Sequence, residues 1–399
     1  MRRNRSSILA LVLLLSTSPT LFGQAEEPKA ERDTPAKVGD RVIIPPGTTL
    51  HAAKSDDDEP NARPPAPGEL HNAFRVYRVE RVEVPWVHIR AVHDGVNGWV
   101  KVPDAVPIEK AFERATNEIL ANLENPNAFI GRALLWAEKG EIDLAIADYD
   151  EAIRLDPGSA TAFNNRGNLW RQKLDYDHSI ADFTEAIRLD PTYAAAYNNR
   201  GIAWRFKDVN RAIDDYTEAI RLDPIYFAAY NNRGNAYREK KDLNRAIADF
   251  TDAIRLHPVY AHAYANRGMV RRMKNEFDLA IADYSRAIEL DPKNATAHNN
   301  LGWLRAVCPD AKYRDGAKAV ESATRACELS AWKSANNIDT LAAACAEAGD
   351  FESAVRWQRK AQPLFPDDET RARGADRIEL YKARKPFREL VPPEIKRPS

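Results

Sequence analysis

The feature that most restricts this chain is a self-repeat. Proline recurs at Pro157, Pro191, Pro224, Pro258 and Pro292, at intervals of 34, 33, 34 and 34 residues, preceded each time by Asp or, once, by His257. Tyr-Asn-Asn-Arg-Gly stands at 197–201 and again at 230–234, with a near copy at 163–167. Ala-Ile-Ala-Asp followed by an aromatic stands at 145–149, 246–250 and 280–284. A chain with so short a period builds one small supersecondary unit over and over, and each copy must bury its apolar face on its neighbours. A single core gathered from distant segments is thereby excluded for this region.

The spacing inside one copy predicts two helices. Phe163, Gly167 and Trp170 share a face at steps of four and three, and Ser179, Phe183 and Ala186 do the same further on. Small residues at Gly167 and Ala186 let the helices approach, while Trp170 and Phe183 fill the space beside them. Units are assigned at 126–159, 160–193, 194–226, 227–260 and 261–294. The third is one residue short between Phe206 and Val209, yet Ala212, Tyr216 and Ala219 keep their register, so the shortfall is expected in a turn. A sixth unit at 295–329 carries an insertion through Cys308-Pro309-Asp310, and a seventh spans 335–362. Residues 108–125 predict a linking helix, 369–383 a polar-faced capping helix of the kind solenoid ends require, and 384–399 a flexible tail.

A period of 34 with these residues resembles the tetratricopeptide repeat, TPR. The resemblance implies a mostly α fold over 126–362: a TPR α-solenoid of about seven helix-turn-helix repeats wound as a right-handed superhelix. It also implies that the first helices line a concave surface, where asparagine side chains hold an extended peptide by its backbone. Asn165, Asn199, Asn232, Asn266 and Asn300 occupy the same place on five successive first helices. Arg171, Arg205, Arg238 and Arg272 recur six residues later, and Asn168 and Asn235 fall between them on the same face. A merely solvated face would also suit these residues, but Asn is a poor helix former and five in register call for a reason. The expected partner is a protein or peptide segment, acidic in view of the arginines. Arg166, Arg200, Arg233 and Arg267 are read differently, as structural pairs to Asp182, Asp215, Asp249 and Asp283 on the second helices.

Upstream the texture changes. Arg2, Arg3 and Arg5, the apolar run Ile8 to Leu15, and small residues up to Ala25 read as a signal peptide at 1–25. The run is about half the ~20 residues needed to span a bilayer, so stable membrane insertion is not expected. Export to the periplasm or the medium, at a bacterial cell envelope, is the expectation. Residues 26–37 read as a disordered linker. Short β-branched and aromatic runs separated by turn signals predict a small β-barrel at 38–107. Val38-Gly39-Asp40-Arg41-Val42, Trp86-Val87-His88-Ile89 and Gly98-Trp99-Val100 resemble the bacterial SH3-like domains of exported proteins. That resemblance implies contact with cell wall or protein ligands.

Catalysis is not expected. There is no Gly-rich phosphate loop, Gly-x-Ser-x-Gly, His-Glu-x-x-His or Cys-x-x-Cys. No cofactor or metal is called for: His88 and His93 lack a third ligand, and His257 merely replaces the Asp that precedes the other prolines. A net charge of −1 lacks the basic excess of a nucleic-acid binder. Cys308 and Cys327 are placed too far apart along their helices for a direct bridge, and Cys345 takes a core place. The leading expectation is an exported interaction scaffold. The runner-up is a structural envelope protein whose β module binds cell wall while the array self-assembles, with an unrecognised hydrolase a distant third.

Overall fold

The computed structural model describes the backbone of residues 41–44, 75–83, 86–91, 97–101 and 106–107 and, continuously, residues 108–389. The expected signal peptide at 1–25, the linker at 26–37, the long connection between 45 and 74, and residues 390–399 lie outside the described residues. Among the described residues, five strands pair antiparallel in the order β4-β3-β2-β1-β5: β1 Arg41–Ile44, β2 Arg75–Glu83, β3 Trp86–Ala91, β4 Asn97–Lys101 and β5 Val106–Pro107. Val42 faces Tyr77 on one side and Pro107 on the other, and the β2–β3 register shifts at a bulge between Val79 and Arg81. β5 runs directly into the first helix, with no residue between them.

The chain divides into two compact units, Met1–Ala196 and Tyr197–Ser399. In the first, α1 Ile108–Ala121 precedes two helix pairs, α2 Pro126–Lys139 with α3 Ile142–Leu155 and α4 Ala160–Gln172 with α5 Tyr176–Leu189. Helix α6, Ala194–Trp204, crosses the boundary. The second unit continues with α7 Val209–Leu222, α8 Phe227–Glu239, α9 Leu243–Leu256, α10 Ala261–Met273, α11 Phe277–Leu290, α12 Ala295–Val307, α13 Gly316–Leu329, α14 Ala335–Glu347, α15 Phe351–Ala361 and α16 Asp368–Lys382.

Local chemistry ends each helix where it ends. The turn inside a pair reverses through a left-handed residue: Gly140, Leu174, Lys241, Asn275 and Gly349 all have positive φ. An N-cap side chain then opens the second helix. Asp175, Asp242, Asp315 and Asp350 accept from the backbone N–H groups of His178, Arg245, Lys318 and Ser353. The turn between pairs uses the Asp before the proline. Asp156, Asp190, Asp223 and Asp291 accept from the N–H two residues on, at 2.9–3.2 Å, closing Asx turns that aim the chain into the next helix. The residue missing from the third repeat is absorbed in the turn inside its pair, between α6 and α7. α6 stops at Trp204, the Asp208 N–H returns to the Trp204 carbonyl at 2.6 Å, and Ala212, Tyr216 and Ala219 remain wholly buried.

Within four successive pairs, from α4–α5 to α10–α11, the helices touch through a glycine that faces an aromatic ring. A Cβ on Gly167 would lie 2.9 Å from the Phe183 ring, and one on Gly201 would lie 2.7 Å from Tyr216. Gly234 and Gly268 meet Phe250 and Tyr284 at 2.8 Å in the same way. These four rings are fully buried, each worth roughly 1.5–3 kcal/mol against exposure.

At the C-terminal end, α16 is fixed by Asp339 of α14, which pairs with Arg377 at 3.2 Å and accepts from Gln358 Nε2 at 2.6 Å. One expectation needs correction. The flexible tail read from 384 onward begins with residues held in place: Arg384 turns the chain back with φ 53°, the Lys385 N–H bonds to the Leu380 carbonyl, and the Glu389 N–H bonds to the Val307 carbonyl at 2.9 Å. Phe387 packs against Trp303, and that apolar contact, invisible as periodicity, supplies the reason.

Replacing Gly201 by Leu would push α6 and α7 apart and cost about 1–3 kcal/mol or more through overpacking. Hydrogen exchange should lose protection in α6, α7 and the helices that touch them, and uniform loss along the chain would contradict nearest-neighbour stacking. A second expectation concerns acid. The N–H of Arg245, and then the Arg245 guanidinium, hold Asp242 below the usual carboxylate value. A carboxyl lowered on folding stabilises above its unfolded pKa of about 3.9 and loses that contribution as pH falls through the folded value. Asp242→Asn keeps the cap acceptor without the charge. The melting difference between wild type and this variant should therefore be present at pH 7 and close as pH falls below the usual carboxylate range. A difference independent of pH would refute the assignment.

Candidate functional interface

The five arginines that precede the central small residue face the second helix of their own pair. Arg166, Arg200, Arg233 and Arg267 make two-pronged bonds to Asp182, Asp215, Asp249 and Asp283, all within 2.6–3.0 Å. The first repeat adds a pair the sequence reading missed, Arg132 to Asp148 at 2.7 Å through both prongs. Its signal was present, since both residues lie one period before Arg166 and Asp182. Burial pushes the carboxyls of Asp148, Asp182, Asp215 and Asp249 up, and the guanidinium opposes it. The fork geometry satisfies charges that would otherwise be costly to bury.

The candidate face lies on the first helices. In the N-terminal unit, α4 carries Asn165, Asn168 and Arg171, all half-buried. Asn164 Nδ2 donates to Asn165 Oδ1 at 3.2 Å, and Arg171 Nη2 donates to Asn168 Oδ1 at 3.4 Å.

In the C-terminal unit the asparagines do something the sequence did not announce. Asn232 Nδ2 donates to Asn198 Oδ1 and Asn266 Nδ2 to Asn231 Oδ1, both at 2.9 Å. Asn198 and Asn231 are only 4% and 6% exposed. Each bond ties the first helix of one repeat to the first helix of the repeat before it. The donor ends of Asn232 and Asn266 are thus committed to the array, and the register of asparagines has a structural reason. Asn300 stands in the same register, but Ala265 fills the place of Asn231, and Asn300 Nδ2 is buried with no hydrogen-bond partner. Asn199 accepts from Asn198 Nδ2 at 3.4 Å, and Asn235 donates to the Asn231 carbonyl at 3.1 Å. The signal for this ladder was the paired Asn-Asn at 164–165, 198–199 and 231–232, broken to Ala-Asn at 265–266.

The arginines of this face differ from one another. Arg205 lies one residue beyond α6, a consequence of the shortened repeat, and approaches Glu239 at 3.3 Å. Arg272 on α10 holds both carboxylate oxygens of Glu389 at 2.6 Å. Burial would lower the Arg272 guanidinium, and Glu389 outweighs it, so the net shift is upward. Arg238 on α8 has no carboxylate within ion-pair distance among the described residues, and its Nε is buried without an acceptor. Burial pulls its guanidinium below the ordinary value, and neighbouring Arg205 pulls the same way against Glu239. Beneath Arg205 and Arg272 the second helices place Tyr216 and Tyr284, whereas the corresponding place in the repeat of Arg238 is Phe250.

The three thiols sit in the core. Cys308, Cys327 and Cys345 are buried and free, and burial pushes Cys327 up to about 12 and Cys345 up to about 11. Among the described residues, no group of three metal-ligating side chains converges, and no helix is long and apolar enough to cross a membrane.

Family models described as TPR repeat match residues 135–173 and 269–304, and models described as tetratricopeptide repeat match 164–224 and 227–260. No curated protein matches the chain. The fold is shared with the APC/C hetero-tetramer Cut9-Hcn1, at 17% identity and a TM-score of 0.52 over 59% of this chain and 46% of that one. Lesser likenesses are to YrrB, described as a TPR protein with an unusual peptide-binding site (25% identity, TM-score 0.39, 47% of this chain, 97% of that one), and to yeast Tom70 (19%, 0.49, 69% and 59%).

Asn232→Ala should destabilise the protein by about 1–3 kcal/mol, because Asn198 Oδ1 is left buried and unpaired. Ala265→Asn should do the reverse at the other end of the ladder, giving Asn300 its acceptor and raising the urea midpoint. Two neutral results would remove the ladder from the account of stability.

Proposed function

We propose that this chain, whose repeats are tetratricopeptide repeats, is a non-enzymatic scaffold that captures an extended, acidic polypeptide segment on the first-helix face of α6, α8 and α10. The observation that carries this reading is Arg238. A half-buried guanidinium with no carboxylate is costly to keep, and a partner's acid supplies what the fold withholds. The next repeat shows the kind of group that fits, since Arg272 in the equivalent place holds a carboxylate from an extended segment. With the amide donors of Asn232 and Asn266 engaged in the ladder and that of Asn235 on the Asn231 carbonyl, register on this face falls to the arginines and to amide oxygens such as Asn235 Oδ1.

The wider setting we propose rests on sequence. The arginine-led apolar start supports export, and the SH3-like likeness of 38–107 supports contact with cell wall or a second protein ligand.

Fluorescence anisotropy with a labelled acidic decapeptide and a basic one of equal length tests the reading. The acidic peptide should bind, and salt should weaken it. Arg238→Ala should cost about 1.5–3 kcal/mol, the worth of a charge-assisted bond, and more than Asn235→Ala. Equal binding of both peptides, or unchanged binding by a normally melting Arg238→Ala protein, would overturn it.

A further inference from the structure

The segment after α16 is bound in the manner of a ligand. Beyond the turn at Arg384 the chain runs without helix or strand through Lys385–Glu389. Its three consecutive side chains each meet a different group. The Phe387 ring lies 5.9 Å from Trp303 of α12, tilted by 44°, and the Arg377 guanidinium of α16 lies 5.2 Å from the Phe387 ring. Arg388 pairs with Glu347 of α14 at 2.5 Å and donates to the Ala306 carbonyl at 3.3 Å. Glu389 takes both its oxygens to Arg272 of α10. The backbone joins in, since the Glu389 N–H donates to the carbonyl of Val307, the last residue of α12, where a helix leaves its final carbonyls open. Four elements thus converge on five residues of irregular chain, through an aromatic contact, two ion pairs and a main-chain bond.

We infer that Lys385–Glu389 is an internal ligand. It occupies the C-terminal end of the first-helix face, and the external segment that this end accepts is an extended chain carrying an aromatic, a basic and an acidic residue in succession. The inference rests on the reading that first-helix faces take extended segments, and it adds the pattern recognised and a competitor. The tether between Tyr381 and Phe387 is short, so the internal copy acts at an effective concentration in the millimolar range. An external segment enters only by displacing it. The equivalent arginine one repeat earlier, Arg238, has no such occupant, which divides the face into an open and a closed position.

The test uses the full chain and a labelled peptide of residues 384–392. Phe387→Ala with Glu389→Ala should empty the closed position, and the peptide should bind this double variant about tenfold or more tightly than wild type. Adding Arg272→Ala to the double variant should remove that gain. Equal binding to wild type and to a double variant of unchanged melting would overturn the inference. Should the variant fold poorly, hydrogen exchange on the wild type decides instead. The Glu389 amide should be protected in the free protein and lose protection when excess peptide carrying Phe, Arg and Glu is added. An amide that exchanges at the free rate from the start would also overturn it. The acidic decapeptide reads Arg238 and this peptide reads Arg272, so either proposal can fail while the other stands.

Discussion

Four successive helix pairs of the array depend on an aromatic ring packed against a glycine. Phe183 on Gly167, Tyr216 on Gly201, Phe250 on Gly234 and Tyr284 on Gly268 set the distance between the two helices of a pair, and no larger residue than Gly leaves room for the ring. That contact fixes which faces remain open. Once the second helix is pressed onto the first, the arginine beside each glycine reaches the carboxylate of its own pair with both prongs, and Arg166 adds a bond to Asp150 of the preceding pair. Alanines such as Ala186, Ala219, Ala253 and Ala287 finish the seal with no side-chain entropy to lose.

A contact that recurs inside each copy is legible in sequence, because the period multiplies the signal. The glycines, the rings and the Arg–Asp pairs were all readable for this reason. So was the Asp before proline, whose Asx turn needs only the next two residues. The asparagine ladder was harder. Its two partners sit 34 or 35 residues apart in different repeats, so the pattern shows five polar residues in register without showing that they bond to their neighbours' neighbours. The tail was harder still. Arg272 and Glu389 are 117 positions apart, and nothing periodic connects them. Composition reads the tail as loose because it is polar and rich in proline, while Phe387, Arg388 and Glu389 together hold its beginning in place.

Repetition in sequence does not produce equal sites. Arg205, Arg238 and Arg272 share one place in three successive repeats, yet one meets Glu239, one meets no carboxylate and one meets Glu389. The differences trace to single events. A missing residue moves Arg205 just past the end of its helix, Phe250 stands where the neighbours have tyrosine, and the chain beyond α16 folds back over Arg272. A solenoid whose repeats were identical would bind a uniform polyanion with no preferred register. This one has a half-buried guanidinium, that of Arg238, which meets only the Met269 thioether and no carboxylate, beside a position already filled from within. On the proposed reading, a bound segment would have one point at which its charge matters most and one boundary it could not pass without displacing the internal chain. Selectivity in such an array comes from where the repeat pattern breaks.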